Sequence, residues 1–236
     1  MFASAIQHLT GLVMSFPTHR SPDPGSTPPA DPPPGGVSPH PPAPGAKPSS
    51  APGPAASIRR YRPEDVPQLY EAVRESLEEL CAYMTWCHPG YAREDAQAFI
   101  ARCDTNWKAR EQFNFGIFDE RDRLLGGVGL NRIDWNHRCA NIGYWVRRSR
   151  TRQGVATAAA RLIARFGLEE LGFQRLEILV PGNNVASQRV AHKTGARFEG
   201  ALRCRLVLAD GIHDAFLYSL VAVDLTPAIA PTAAHP

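Results

Sequence analysis

The stretch Arg147-Arg148-Ser149-Arg150-Thr151-Arg152-Gln153-Gly154-Val155-Ala156-Thr157 decides how this sequence is read. It joins a strand-like run, Cys139 to Arg147, to a helical pattern over Val155 to Leu171 that carries Ala156, Ala159, Ala160, Ile163, Phe166 and Leu168. Gly154 lets a ligand approach the backbone closely, and Ala156, Thr157 and Ala158 keep the first helical turn small. The N–H groups of that turn have no partners inside the helix, and its dipole presents positive charge. Arg147, Arg148, Arg150 and Arg152 add to it. This is the chemistry of an anion site, with a phosphate or pyrophosphate as its natural guest. Glycine before a helix is common, and arginine clusters are often a solvated face, so the loop gains meaning only from its surroundings.

Downstream, Arg175 to Val180 is a short, nearly continuous apolar strand that reads as buried on both faces. Asn184 to Thr194 is a helix stopped by Gly195, and Arg197 to Leu208 with Ile212 to Val223 forms a long hairpin around Ala209-Asp210-Gly211. Upstream, Phe113 to Phe118, Leu124 to Ile133 and Cys139 to Arg147 read as three antiparallel strands, with Asp119 to Arg123 as the first turn. Before them come a short strand, Ile58 to Arg62, a helix start at Pro63-Glu64-Asp65, a helix through Val66, Leu69, Tyr70, Val73, Leu77, Leu80 and Cys81, and a second helix from Arg93 to Ala109. The order βααβββαβαββ is mixed α/β, without internal repeats.

The ends are of another kind. Of 22 prolines, 15 lie between Pro17 and Pro54, a stretch with four charged residues and almost no large apolar side chains. It lacks the apolar area to offset the roughly 1–2 kcal/mol that ordering each backbone residue costs. The expected organisation is therefore a disordered Pro-rich extension over 1–57, one domain over 58–225 and a flexible tail over 226–236. The P-x-x-P spacings of the extension are those expected at such proline density, which makes it a spacer. Met1 to Phe16 is too short to span a bilayer and carries no basic leader, and Met14 is a second candidate start. A formal net charge of +3 is too small and too dispersed for a nucleic-acid footprint. Five cysteines, none in a C-x-x-C pair, argue against a disulfide framework or a zinc site and favour a reducing cytoplasm, so no metal is expected.

The residues also resemble a known family. Tyr61-Arg62-Pro63-Glu64-Asp65, Ile142-Gly143-Tyr144-Trp145-Val146, Gln153-Gly154-Val155-Ala156-Thr157, Arg175-Leu176-Glu177-Ile178, Asn184-Val185-Ala186-Ser187, Lys193-Thr194-Gly195 and Phe198-Glu199-Gly200 follow one another as in the GCN5-related N-acetyltransferases (GNAT), within them the RimJ/RimL branch of ribosomal-protein N-terminal acetyltransferases. The resemblance covers nearly all of 58–225. It implies the GNAT fold: a mixed, mostly antiparallel sheet flanked by helices, with the fourth and fifth strands splayed and the pantetheine arm of acetyl-CoA in the gap. Val146 and Arg147 would then offer strand backbone to the cofactor, Arg152, Gln153, Gly154, Val155, Ala156 and Thr157 would hold its pyrophosphate, and Asn184 would lie near its amide arm. Asn184 is equally an ordinary helix N-cap, and the two roles are compatible.

Acetyl transfer needs a neutral amine, a polarised thioester carbonyl and a proton for the leaving thiolate. Many family members supply that proton from a tyrosine at the position of Ala191, so Ser187 is the expected substitute here. Glu177 resembles the glutamate that takes the amine proton through water, with an ion pair to Arg175 or Arg197 as its rival role. Thr151, Asn141 and Ala196 depart from the usual pattern, and Asn141 removes one candidate base. Trp86, His88, Trp135 and Asp214 come from segments expected to rim the acceptor site, with packing or solvated roles as the alternative for the aromatic residues. The resemblance implies transfer to a primary amine in a ternary complex, with a protein N-terminus as the acceptor. A small amine, such as an amino sugar, polyamine, amino acid or drug, is the second reading, and a non-catalytic CoA-binding module the third. A homodimer is possible, and neither a nucleic-acid nor a membrane partner is expected.

Overall fold

The structure is a computed structural model and describes residues 56–225, so the expectations for the Pro-rich extension and the tail lie outside the described residues. Its main elements are β1 (Ser57–Arg60), α1 (Val66–Glu75), α2 (Leu77–Tyr83), α3 (Arg93–Ala109), β2 (Phe113–Phe118), β3 (Leu124–Asp134), β4 (Cys139–Val146), α4 (Val155–Arg165), β5 (Arg175–Pro181), α5 (Val185–Thr194), β6 (Arg197–Leu208) and β7 (Gly211–Leu220). The strands form one sheet in the order β1-β2-β3-β4-β5-β7-β6, antiparallel except between β4 and β5.

Period-two alternation gives this sheet two apolar faces, and each is covered. Val128, Leu130, Ile142, Leu176 and Ile178 pack against Ala159, Ile163 and Ala164 of α4 and Ala191 of α5. Phe118 and Leu124 pack with Leu69, Val73 and Ile100 of α1 and α3 on the other face, joined by Tyr61 and Trp145. Small residues on α4 let the helix lie close to the sheet. Each fully buried leucine or isoleucine contributes about 1.5–3 kcal/mol through removal from water.

Three elements differ from their expected extent. The helix read over 66–81 is broken at Ser76, whose φ of −116° leaves the helical region and whose hydroxyl donates to the Ala72 carbonyl at 2.8 Å. A serine hydroxyl competes locally with the backbone ladder, which periodicity does not reveal. The helix read over 155–171 is α-helical to Arg165 and π-helical over Phe166–Glu170, where Gly167 passes close to Leu130 and Leu176. The last strand stops at Leu220 because the Val221 N–H turns to the Asp224 carboxylate, at 2.9 Å, ahead of a short 3-10 turn.

The point that organises the molecule is the junction of β4 and β5. They pair only at Cys139↔Arg175, Ala140↔Leu176 and Asn141↔Glu177, although both strands continue to Val146 and Pro181. Beyond that point they splay. Asn141 finishes the junction with its side chain: its carbonyl oxygen accepts from the Leu179 N–H at 3.2 Å, and its amide nitrogen donates to Asn131 at 3.0 Å. A side-chain amide thus takes the place of the next ladder bond and lets the strands part without leaving the Leu179 N–H unpaired.

Candidate active site

The splay opens a cavity of about 570 Å³, a size suited to a small ligand or the end of a chain. Ile142 to Trp145 form one wall, and Ile178, Leu179 and Pro181 the other. Asn184 and Ser187 close it from the start of α5, and Trp86 and the hairpin residues Arg205 to Leu208 contribute from outside the sheet.

Two hydroxyls meet there. The Tyr144 hydroxyl lies 2.8 Å from the Ser187 hydroxyl and 3.2 Å from the Ser187 carbonyl oxygen. Burial, partly offset by the bond to Ser187, pushes the Tyr144 phenol up to about 12, so it is protonated near neutrality. When its single proton points to Ser187 Oγ, the serine proton is free to be donated to another group. Asn184 fixes this serine, because its side-chain oxygen caps α5 by accepting from the Ser187 N–H at 3.0 Å.

On the opposite face of β3 and β4, the odd positions Gly127, Gly129 and Gly143 lack side chains. Polar atoms lie over them instead. A methyl group added at Gly127 would stand 2.5 Å from the Trp145 indole nitrogen and 2.8 Å from the Tyr61 hydroxyl. At Gly129 it would meet Asn114 Oδ1 at 2.5 Å, and at Gly143 Asn131 Nδ2 at 3.0 Å. The cavity therefore has a floor of amide, indole and phenol groups that lie directly over glycine backbone. The Tyr61 hydroxyl is buried without a hydrogen-bond partner, and the same burial raises its pKa well above the ordinary value.

The anion loop leaves β4 directly after the cavity wall. Gly154 adopts φ 82°, a conformation glycine takes without penalty, and it begins α4 with no side chain capping the free N–H groups. Arg152, also left-handed at φ 61°, and Gln153 are exposed. The four arginines divide. Arg147 is bound by Glu75, its Nε donating at 2.9 Å, and Arg148 pairs with Glu79 at 2.8 Å. Arg150 and Arg152 have no ion-pair partner among the described residues and remain available to an anion. Glu75 also accepts from the Ser149 N–H at 2.7 Å, and Ser76 Oγ accepts from the Arg148 N–H at 2.9 Å. Burial alone would raise the Glu75 carboxyl, but the bonds from Arg147 and Ser149 win and hold it at about 2. The end of α1 thus clamps the loop at three points.

Val146 pairs with Gly126 of β3 on one side, while its edge toward β5 is unpaired. The Arg147 N–H donates to the Leu125 carbonyl at 2.8 Å, so its main chain is already engaged with β3. Glu177 sits at the last paired position of β5 and accepts from Arg175 Nε at 3.0 Å, with Arg175 also held by Glu199. Its carboxylate is not among the groups lining the cavity. Trp86 lines the cavity beside Tyr91 and Trp145. His88 does not, and stands 3.4 Å from Asp95. Trp135 stacks on Phe173 with ring centroids 4.9 Å apart, bordering a separate smaller cavity with Arg110 and Arg138. Asp214 accepts from the Cys204 N–H at 2.7 Å within the β6–β7 hairpin. Sequence reading assigned no role to Glu75, Ser76, Tyr61, Asn131 or the hydroxyl of Tyr144. Tyr61 and Tyr144 alone carried a signal, each standing inside a recognised motif.

Residues 57–197 match the acetyltransferase (GNAT) domain family. Over 166 residues the chain is 26% identical to YdaF of Bacillus subtilis (strain 168), named provisionally as a ribosomal N-acetyltransferase; the match covers 70% of this chain and 90% of YdaF. It is 32% identical over 107 residues to the ribosomal-protein-serine acetyltransferase of Escherichia coli (strain K12), covering 45% of this chain and 59% of that one. The structure of Mycobacterium smegmatis RimJ in complex with CoA-disulfide superposes with a TM-score of 0.65 at 22% identity, covering 73% of this chain and 84% of that one, a likeness of fold. Since the match runs from β1 to the start of β6 and takes in the splayed strands and the glycine-led loop between them, the chain belongs to the GNAT acetyltransferase family.

Proposed function

We propose that this protein transfers an acetyl group from acetyl-CoA to a primary amine, the N-terminal α-amino group of a protein, within a ternary complex. The observation that carries this reading is the gap beyond Asn141 and Glu177, with the Tyr144–Ser187 hydroxyl pair at its side. The residues fit acetyl-CoA: the unpaired edge of β4 offers backbone groups to an extended arm, and Gly154, the uncapped start of α4, Arg150 and Arg152 offer donors and charge to phosphates. The curated relatives named for ribosomal-protein acetylation point to the acceptor.

Acetyl-CoA supplies the acyl group as a thioester. Backbone N–H groups of β4 facing the gap polarise the carbonyl. Ser187 donates its proton to the departing sulfur and is restored by the proton the amine releases through water, while the Tyr144 phenol, which burial keeps protonated, hydrogen-bonds the serine oxygen. Asn184 holds Ser187 in place. Glu177 is bound by Arg175, so the amine proton leaves to water, as no carboxylate or imidazole among the described residues lines the cavity. The amide, indole and phenol groups lying over Gly127, Gly129 and Gly143 offer hydrogen-bond partners to an extended main chain, which favours a peptide over a small amine. A CoA-release screen with N-terminal peptides against small amines tests this: peptide turnover supports it, and turnover of small amines alone overturns it.

A further inference from the structure

Among the described residues lining the cavity, Arg132 and Arg205 are the charged ones, and none is Asp, Glu, Lys or His. They come from different hairpins. Arg132 lies in the irregular stretch of β3 between Asn131 and Asp134, with φ 48°, and Arg205 in that of β6 between Leu202 and Leu206. Such bulges re-aim side chains, and they recur beside binding sites. Both arginines are exposed, and neither makes an ion pair or side-chain hydrogen bond with another described residue, whereas Arg147, Arg148 and Arg175 are each paired with glutamate. The cavity also presents the Tyr61 hydroxyl, buried without a partner, and the Trp145 indole, both able to donate.

A cavity that offers donors and positive charge, with no carboxylate of its own, complements a guest rich in carbonyl and carboxylate oxygens. We infer that the acceptor is an acidic N-terminus: an α-amine followed within a few residues by Asp or Glu, whose carboxylates are read by Arg132 and Arg205. This rests on the N-terminal transfer proposed above and narrows it. The same field repels lysine-rich N-termini and favours the neutral form of an entering amine, which is the form that attacks. That accounts for a site lacking a carboxylate or histidine base.

The test uses the full chain, acetyl-CoA and three peptides identical except for Asp, Ser or Lys at positions 2 to 4. The expected order of kcat/KM is Asp above Ser above Lys, with about tenfold or more between the extremes at low salt and less at high salt. R132S/R205S compresses that ratio and R132E/R205E inverts it; a thermal melt confirms that replacing these exposed side chains leaves the fold intact. Equal kcat/KM across the peptides, or a ratio unmoved by both double variants, overturns the inference while N-terminal transfer stands. A rise in the KM for acetyl-CoA with an unchanged peptide ratio assigns the arginines to the cofactor and overturns it too. No transfer to any peptide removes the N-terminal reading itself.

Discussion

The hydroxyls of Tyr144 and Ser187 stand 2.8 Å apart, one from the strand that borders the gap and one from the first turn of the helix beyond it. Neither position requires the other in sequence. Their meeting gives the gap a hydrogen-bonded hydroxyl pair at the side of its splayed strands.

Ser187→Ala is therefore expected to lower kcat by about 10²-fold with little change in acetyl-CoA affinity. Tyr144→Phe acts through the same pair, so the double variant should lose little more than the worse single one. Steady-state kinetics with calorimetry of cofactor binding decides this; additive losses would show that the hydroxyls work separately.

Gly154 occupies a left-handed conformation at the start of α4. A valine there meets backbone strain of about 1–2 kcal/mol and places a side chain against the free N–H groups. Acetyl-CoA binding by calorimetry should be abolished in a variant whose circular dichroism is unchanged. Wild-type affinity in that folded variant would remove the loop from cofactor binding.

Glu75 ties the loop to α1 with a carboxyl held at about 2, against an ordinary value of 4.5. A depressed carboxyl contributes stability that is present above 4.5 and is lost as pH falls toward 2. Thermal melts should show Glu75→Gln less stable by about 1–3 kcal/mol at neutral pH. The difference from wild type should shrink between those two pH values. A difference that stays constant down to pH 2 would assign it to packing and not to charge.

The buried Tyr61 hydroxyl over Gly127 has no hydrogen-bond partner among the described residues, and in the proposed complex the acceptor would supply one. Tyr61→Phe should raise the KM for a peptide several-fold while leaving the acetyl-CoA KM alone, since a site built around a hydrogen bond loses affinity when it is removed. An unchanged peptide KM would leave the phenol as core packing.

Deleting residues 1–55 is expected to leave transfer intact, because β1 begins at Ser57 and all seven strands of the described sheet lie within residues 57–220. Comparing kcat/KM of the truncated and full chains on one peptide checks this, and a large loss would assign the extension a part in substrate recognition.

Much of the fold was legible in the sequence because its signals are local. Alternation marked the strands to within a few residues, and Gly154, Gly195 and the Asn184 cap marked helix ends through backbone conformations that few residues adopt. The missed break at Ser76 comes from its hydroxyl bonding back to the Ala72 carbonyl, and the π-helical turn after Arg165 arises where the helix meets Leu130 and Leu176. Periodicity within a helix carries no trace of either.

The sequence by itself determined the mixed α/β order, the glycine-led anion loop and the capped helix carrying Ser187, since each follows from residues near one another along the chain. Only the tertiary structure decided which of those residues share a site. It joined Tyr144 to Ser187, assigned Arg147 and Arg148 to glutamates and left Arg150 and Arg152 free, turned Glu177 toward Arg175, and set Trp135 and Asp214 apart from the cavity. The physical reason is that an ion pair or hydrogen bond depends on distances set by sheet register and helix packing, and residues 72 apart, such as Glu75 and Arg147, have no sequence-level sign of being partners.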